Sequence, residues 1–213
     1  MTERQAALVE RLKSGGRTLV FVHALGYISE KGLSRERMER ICGITMRPGT
    51  VRGLVAETRE EDLGKPLRRG SNAGAFQRGL FLPAEGETLA CGFGDLSETP
   101  VVVRRRMDGY STVFASIPCL SSSLLRSLYR DSGVHVYTDQ DVVMSTNGTW
   151  LMLHTNHADG YEVKLPRSCP RVIDVTDGRD VVRNADHFVH ALPKYATAVY
   201  LMDWRGVEGE WRH

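Results

Sequence analysis

The stretch that most restricts this chain is Thr18-Leu-Val-Phe-Val-His-Ala-Leu-Gly-Tyr-Ile28. A run of apolar, largely β-branched residues leads into a glycine turn, and a polar segment then enters a helix. An unbroken apolar run of this kind reads as a strand buried on both faces. In open α/β sheets, ligands and catalytic groups gather beyond the carboxyl ends of such strands. The turn from His23 to Tyr27 is therefore where an active site is expected.

The flanking segments fit that frame. Thr2 to Ser14 reads as a helix opened by a capping box of Thr2 and Gln5, with Ala6, Leu8, Val9 and Leu12 as its apolar stripe and Gly15-Gly16 as its stop. A second helix runs from Ser34 to Cys42. Ser34 caps it, Leu33 staples onto Met38, Met38, Ile41 and Cys42 face inward, and Gly43 ends it. This is one αβα unit, and a parallel sheet needs several strands with helices on both faces. The strand that should precede the first helix is expected before Met1. The chain then reads as the C-terminal part of something longer, or as a domain that has lost its first β units.

Further on, strands are expected at Thr50–Glu57, Gly79–Leu82, Thr88–Phe93, Thr99–Arg106 and Tyr110–Ser116. Glu57 to Asp62 reads as a solvated acidic loop and Lys65 to Ala75 as a glycine-rich one. A helix capped by Ser121 or Ser122 runs to Asp131 and buries Leu124, Leu125, Leu128 and Tyr129. A short strand, Val134–Tyr137, follows Gly133. Short alternating runs then lie between turn signals: Asp141–Ser145 and Trp150–His154 around Asn147-Gly148, Tyr161–Leu165 after Asp159-Gly160, Arg171–Val175 before Asp177-Gly178, and Thr197–Met202. No helix interrupts them, so residues 138–203 read as a small antiparallel β domain, with a polar tail at 204–213.

Composition excludes little but excludes it clearly. A net charge of +2 makes no electrostatic case for nucleic acid or an acidic membrane, and no apolar run approaches the roughly 20 residues of a membrane span. The four cysteines, Cys42, Cys91, Cys119 and Cys169, form no CxxC pair and read as free thiols.

Acyl-transfer chemistry on this frame needs Ser or Cys on the sharp turn after the strand. Here the turn reads His23-Ala-Leu-Gly-Tyr27, with neither. Cys119, after Pro118 and before a helix, is only loosely elbow-like. His154 and His157, with His135 nearby, and His187 and His190 have metal-ligand spacing but no helix to place both rings on one side. Asp139, Asp141, Asp159 and Asp174 all lie in or near turns, where Asp serves turn geometry, so no glycosidase pair can be selected. Gly92-Phe-Gly94 is too short for a phosphate loop, and Arg104-Arg-Arg106 reads as a solvated strand end. No cofactor and no metal is expected.

Three segments carry a resemblance. Phe21-Val-His-Ala-Leu-Gly-Tyr-Ile28, with Leu33-Ser34 and Cys42-Gly-Ile44, resembles the accessory region of certain large glycoside hydrolases. Leu125 to Tyr137 is similar to the end of that region. Leu153-His154, Gly160 and Leu165-Pro166 match the small β domain after it. The family is the β-galactosidase trimerisation domain, which resembles class I glutamine amidotransferases in fold without their nucleophile. The resemblance runs from Met1 to about Met202. It departs at Leu25, where proline is expected, and at His23, where an aromatic is commoner. No catalytic residue carries over, because in such enzymes the catalytic carboxylates sit on an upstream TIM barrel.

The resemblance implies an incomplete flavodoxin-like, amidotransferase-like α/β domain over residues 1–137, followed by the β domain. It also implies a non-catalytic accessory or oligomerisation region whose partners are the missing barrel or other subunits of the same protein, in a cytoplasmic homo-oligomer. His23, Gly26 and Tyr27 are the candidate sugar or interface contacts. Two alternatives stand beside it. One is a free carbohydrate-binding or assembly module using Tyr27, Trp150, Tyr161 and Trp204. The other is an amidotransferase-like hydrolase using Cys119 or Cys42. An unpaired strand edge would make the isolated chain associate.

Overall fold

The computed structural model describes residues 1–49, 55–58, 68–70, 80–92, 98–117 and 120–205. Positions 59–62 of the acidic cluster, most of the 65–75 loop, Phe93-Gly94 and Cys119 lie outside them. The chain is mixed α/β with more sheet than helix, in two compact units, Met1–Ser132 and Gly133–His213.

In the first unit, helix α1 (Glu3–Leu12) begins with the capping box of Thr2 and Gln5, each side chain accepting from the other's backbone N–H. Strand β1 (Arg17–Val22) follows. A two-stranded ribbon, β2 (Ile28–Ser29) and β3 (Gly32–Leu33), leads to α2 (Arg35–Cys42). Ser34 caps α2 by accepting from the Arg37 N–H, and Gly43 ends it at φ 73°, a conformation glycine adopts without steric cost. The Leu33–Met38 staple is not made. Leu33 pairs with Ile28 in the ribbon and is 66% exposed.

The remaining elements are β4 (Met46–Gly49), β5 (Val55–Thr58), β6 (Arg68–Gly70), β7 (Leu80–Pro83), β8 (Glu87–Gly92), β9 (Pro100–Met107), β10 (Tyr110–Ala115) and α3 (Ser122–Asp131). Six strands form one sheet in the order β1-β10-β9-β8-β5-β6, and β4 pairs separately with β7. Within the six-stranded sheet only β1 and β10 run parallel; the other neighbours are antiparallel.

This corrects the reading of the opening stretch. Among the described residues β1 lies at the edge of its sheet, and of its residues only Phe21 is fully buried. Its neighbour β10 is buried on both faces, with no exposed surface at Val113, Phe114 and Ala115. Alternation along β10 sends these side chains to opposite sides. Phe114 joins Ala6, Phe21, Met38 and Ile41 in one core, whereas Val113 and Ala115 join Val101, Leu124 and Leu128 in another. The sheet thus lies between α1 with α2 and α3. Tyr129, expected inside, is 48% exposed, because the α3 contact is made by Leu124 and Leu128.

The second unit is a five-stranded antiparallel sheet of β11 (Val143–Thr146), β12 (Trp150–His154), β13 (Asp159–Asp174), β14 (Asp180–Leu192) and β15 (Thr197–Asp203), ordered β11-β12-β15-β13-β14. The Asn147-Gly148 turn joins β11 to β12, and the Asn147 side chain accepts from the N–H groups of Thr149 and Trp150. Val134–Tyr137 is not a strand. The two strands expected around Pro166 are one, with a register shift between Lys164 and Cys169. The core gathers Leu151, Leu153, Tyr161, Val163, Phe188 and Tyr200.

Candidate functional site

β1 and β10 run parallel, so their carboxyl ends emerge side by side, with Val22 opposite Ala115. The next residue, His23, donates its N–H to the Ala115 carbonyl at 2.7 Å. It sits at φ 56°, in the left-handed region that β-carbon crowding makes uncommon outside glycine. Its Nδ1 lies 3.2 Å from the Ser116 carbonyl oxygen. A carbonyl only accepts, so Nδ1 is the donor in this contact.

Gly26 is buried at φ 85°, and a β-carbon there would stand 2.9 Å from Ile41 Cδ1. Tyr27 is half-buried with its ring 4.7 Å from that of Phe81. The Tyr27 backbone closes the turn by donating to Ala24 and accepting from Ser34. The structure therefore brings His23, Gly26 and Tyr27 together, but Gly26 and Tyr27 pack inward.

The residue that organises the turn is one the sequence reading missed, Arg37 of α2. Its Nη1 donates to the Gly26 carbonyl at 2.7 Å and its Nη2 to the Met1 carbonyl at 3.1 Å, and it pairs with Glu3 at 3.3 Å. The signal was present. Arg37 stands four residues before Ile41, which places both on the buried side of α2. The Met1 ammonium donates to the Ile28 carbonyl at 3.0 Å. Between α1 and the turn lies an open groove of about 570 Å³, lined by Met1, Gln5, Leu8, Val9, Leu25 and Ile28 among others. The side chains that line it are apolar apart from the Gln5 amide. It offers contact area rather than groups that move protons.

The other candidates resolve individually. Cys42 is buried, its Sγ lies against the Glu39 and Ile44 carbonyls, and burial pushes its thiol up to about 11. It is therefore protonated and shielded at neutral pH, which counts against it as a nucleophile. Asp139 pairs with Lys164, Asp159 accepts from Gly160 and Gln140, and Asp174 accepts from the Thr176 N–H. His154 bonds Thr197, His187 bonds Asp186, and His190 bonds Tyr200. Among the described residues no group of three His, Cys, Asp or Glu could hold a metal ion. Tyr161 and Trp204 are buried, and the Trp204 indole donates to the Gly148 carbonyl at 2.7 Å. Trp150 is 44% exposed. No described helix is long and apolar enough to cross a membrane, which leaves β-barrel spans unaddressed.

The first unit thus belongs to the mixed α/β class, with a sharp turn that carries no nucleophile. No protein-family model and no curated protein matches the chain. Solved structures do. A β-galactosidase from Bacillus circulans sp. alkalophilus matches with a TM-score of 0.64 at 16% identity, over 94% of this chain and 31% of its own. A GH42 β-galactosidase from G. stearothermophilus matches at 0.58 and 14%, over 94% and 30%. A polyextremophilic β-galactosidase from the Antarctic haloarchaeon Halorubrum lacusprofundi matches at 0.57 and 18%, over 95% and 30%. At such identities the likeness is one of fold, and this chain spans about 30% of the length of each of these proteins.

Proposed function

We propose that this chain is a non-catalytic accessory and oligomerisation region of a β-galactosidase-like glycoside hydrolase, with the catalytic TIM barrel in another part of the protein. The observation that carries this reading is the asymmetry of the match, 94% of this chain against 31% of a β-galactosidase. The turn after β1 agrees with it, since His23 stands where an amidotransferase-like fold would place its nucleophile. We assign residues 1–137 to the trimerisation-type, amidotransferase-like part and 138–203 to the β domain. His23, Gly26 and Tyr27 then belong to a structural turn beside an interface, in a cytoplasmic homo-oligomer.

Two measurements test this. The purified 213-residue chain is expected to leave aryl galactosides unhydrolysed, and robust turnover would sink the reading. An immunoblot of the source cells is expected to show a native band well above 23.8 kDa; a band at that mass would make a free-standing role the leading one.

A carbohydrate-binding role is the second reading, favoured by the exposed indole of Trp150. Titrating galactosides against tryptophan fluorescence decides it. Saturable quenching that Trp150→Ala abolishes would establish sugar binding, and a flat titration would remove it.

A further inference from the structure

An exposed indole and a charged pair meet at one end of the second unit's sheet. Trp150 on β12 stands opposite Leu201 on β15. Tyr200 and Met202 point into the core, so Leu201 and Asp203 lie on the outer face of β15. Trp150, next to buried Leu151, lies on the same face. Thr149, Leu201, Asp203 and Arg205 are among the residues that line an open groove of about 520 Å³ here. Its walls are held by two contacts. The Met202 N–H donates to the Thr149 carbonyl and the Trp204 indole N–H to the Gly148 carbonyl, both at 2.7 Å.

Arg205 donates from Nε to Asp203 Oδ1 at 2.8 Å and from Nη2 to Oδ2 at 2.6 Å, and its backbone N–H reaches Oδ1 at 3.2 Å. A carboxylate has about four lone-pair sites and a guanidinium five N–H donors. These bonds therefore leave an acceptor position on Oδ2 and further donors on Arg205. The Asp203 side chain is 12% exposed and that of Arg205 86%, so the acceptor is fixed and the donors face solvent. An apolar ligand would leave this pair unanswered, and an anion would meet the Asp203 carboxylate. A neutral ligand with one apolar face and adjacent hydroxyls answers both the pair and the indole.

We propose that this groove binds the ring of a galactoside, with the Trp150 indole against its apolar face and the Asp203–Arg205 pair on its hydroxyls. The axial hydroxyl of a galactoside leaves the opposite ring face apolar, which is the side an indole takes. That hydroxyl and its equatorial neighbour stand together at the ring edge. One accepts from Arg205 and the other donates to Asp203 Oδ2. A strand rises about 3.3 Å per residue, which places Asp203 about 7 Å beyond the Trp150–Leu201 pair, a separation one pyranose ring bridges. This inference rests on the carbohydrate-binding reading and fixes where the sugar sits.

Isothermal titration calorimetry of the 213-residue chain with methyl β-galactoside tests it, with Trp150→Ala, Asp203→Asn and Arg205→Gln as variants. Wild type is expected to bind one equivalent with a Kd on the order of 1 mM. Each variant is expected to raise the Kd at least about 10-fold, with an unchanged circular dichroism spectrum. Arg205→Gln alters a solvent-facing side chain, so the idea stays falsifiable should Asp203→Asn misfold. No binding at about 50 mM sugar would overturn both this site and the carbohydrate reading. Binding lost in Trp150→Ala but kept within about 2-fold in folded Asp203→Asn and Arg205→Gln would overturn this site and leave that reading standing. Binding that survives all three changes would overturn the site as well, since the sugar would then sit elsewhere.

Discussion

Arg37 on α2 and Gly26 in the turn after β1 are joined by one hydrogen bond, from the guanidinium Nη1 to the carbonyl oxygen at 2.7 Å. The Arg37 side chain is only 10% exposed, and its other terminal nitrogen holds the Met1 carbonyl. Arg37→Ala would leave both carbonyls without this donor. We expect a loss of roughly 2–3 kcal/mol, the range for hydrogen bonds to charged groups. Arg37→Lys should recover less than half, since an ammonium cannot reproduce the planar fork. Denaturant unfolding followed at the first unit checks this, because two units need not unfold together. A loss below about 0.5 kcal/mol would refute the role, being the range of surface substitutions.

Gly26 is held by conformation and by space. Gly26→Ala places a β-carbon 2.9 Å from Ile41 Cδ1 at φ 85°. The backbone term costs about 1 kcal/mol and the overpacking about 1–3 more. Ile41→Val removes the clashing methyl, so the double variant should be less destabilised than the two single changes summed. Strict additivity in a double-mutant cycle would show that Ile41 is not the obstacle.

Cys42 makes stability fall in alkali. Its thiol is pushed from the usual 9.0 up to about 11 by burial. Between those values the unfolded chain has lost the proton that the folded chain keeps. The stabilisation is fully present below pH 9 and is lost as pH rises through about 11. The fall is roughly 2–3 kcal/mol at 1.36 kcal/mol per unit. Chemical denaturation from pH 8 to 11 should show a steeper decline for wild type than for Cys42→Ala. Parallel declines would contradict the assignment.

Acid acts on the same unit through Glu85 and Glu87. The Thr45 N–H and hydroxyl, with Arg105, hold the Glu85 carboxyl below its ordinary 4.5, and Arg104 does the same for Glu87. Their contribution is present above 4.5 and is lost as pH falls through the lowered values. Glu87→Gln should flatten the acid limb of the Tm profile between pH 5 and 3, read by scanning calorimetry. An unchanged limb would exclude Glu87 as a source of it.

In the second unit, Trp204 is buried with its indole N–H on the Gly148 carbonyl at 2.7 Å. Trp204→Phe keeps an aromatic side chain, though a smaller one, and removes the donor. A loss of about 1–3 kcal/mol is expected, with faster exchange of the Thr149 and Trp150 amides. An unaltered exchange pattern would show that the bond does not hold the β11–β12 turn.

Much of the local structure was legible because it rests on short-range chemistry. The Thr2–Gln5 box, the Ser34 and Ser121 caps, Gly43, and the Asn147-Gly148 turn each satisfy backbone groups within a few residues. β14 was missed because its Arg, Asn, Asp and His residues suit an exposed edge strand and leave only a weak alternation. Pro166 hid the continuity of β13, since a proline usually ends a strand. Arg37 was missed because an arginine near the start of a helix looks solvated until the Gly26 and Met1 carbonyls that it binds are placed.

By itself, then, the sequence determined where helices begin and stop, which turns are tight, and that the elbow after β1 carries no nucleophile. These follow from residue identity and from neighbours a few positions away. Only the tertiary structure decided that β10 rather than β1 is buried on both faces and that Gly26 packs on Ile41 under Arg37. An apolar run shows that surface must be covered. Which strand covers it depends on pairings between residues about 90 positions apart, such as Val22 with Ala115, and no local pattern records them.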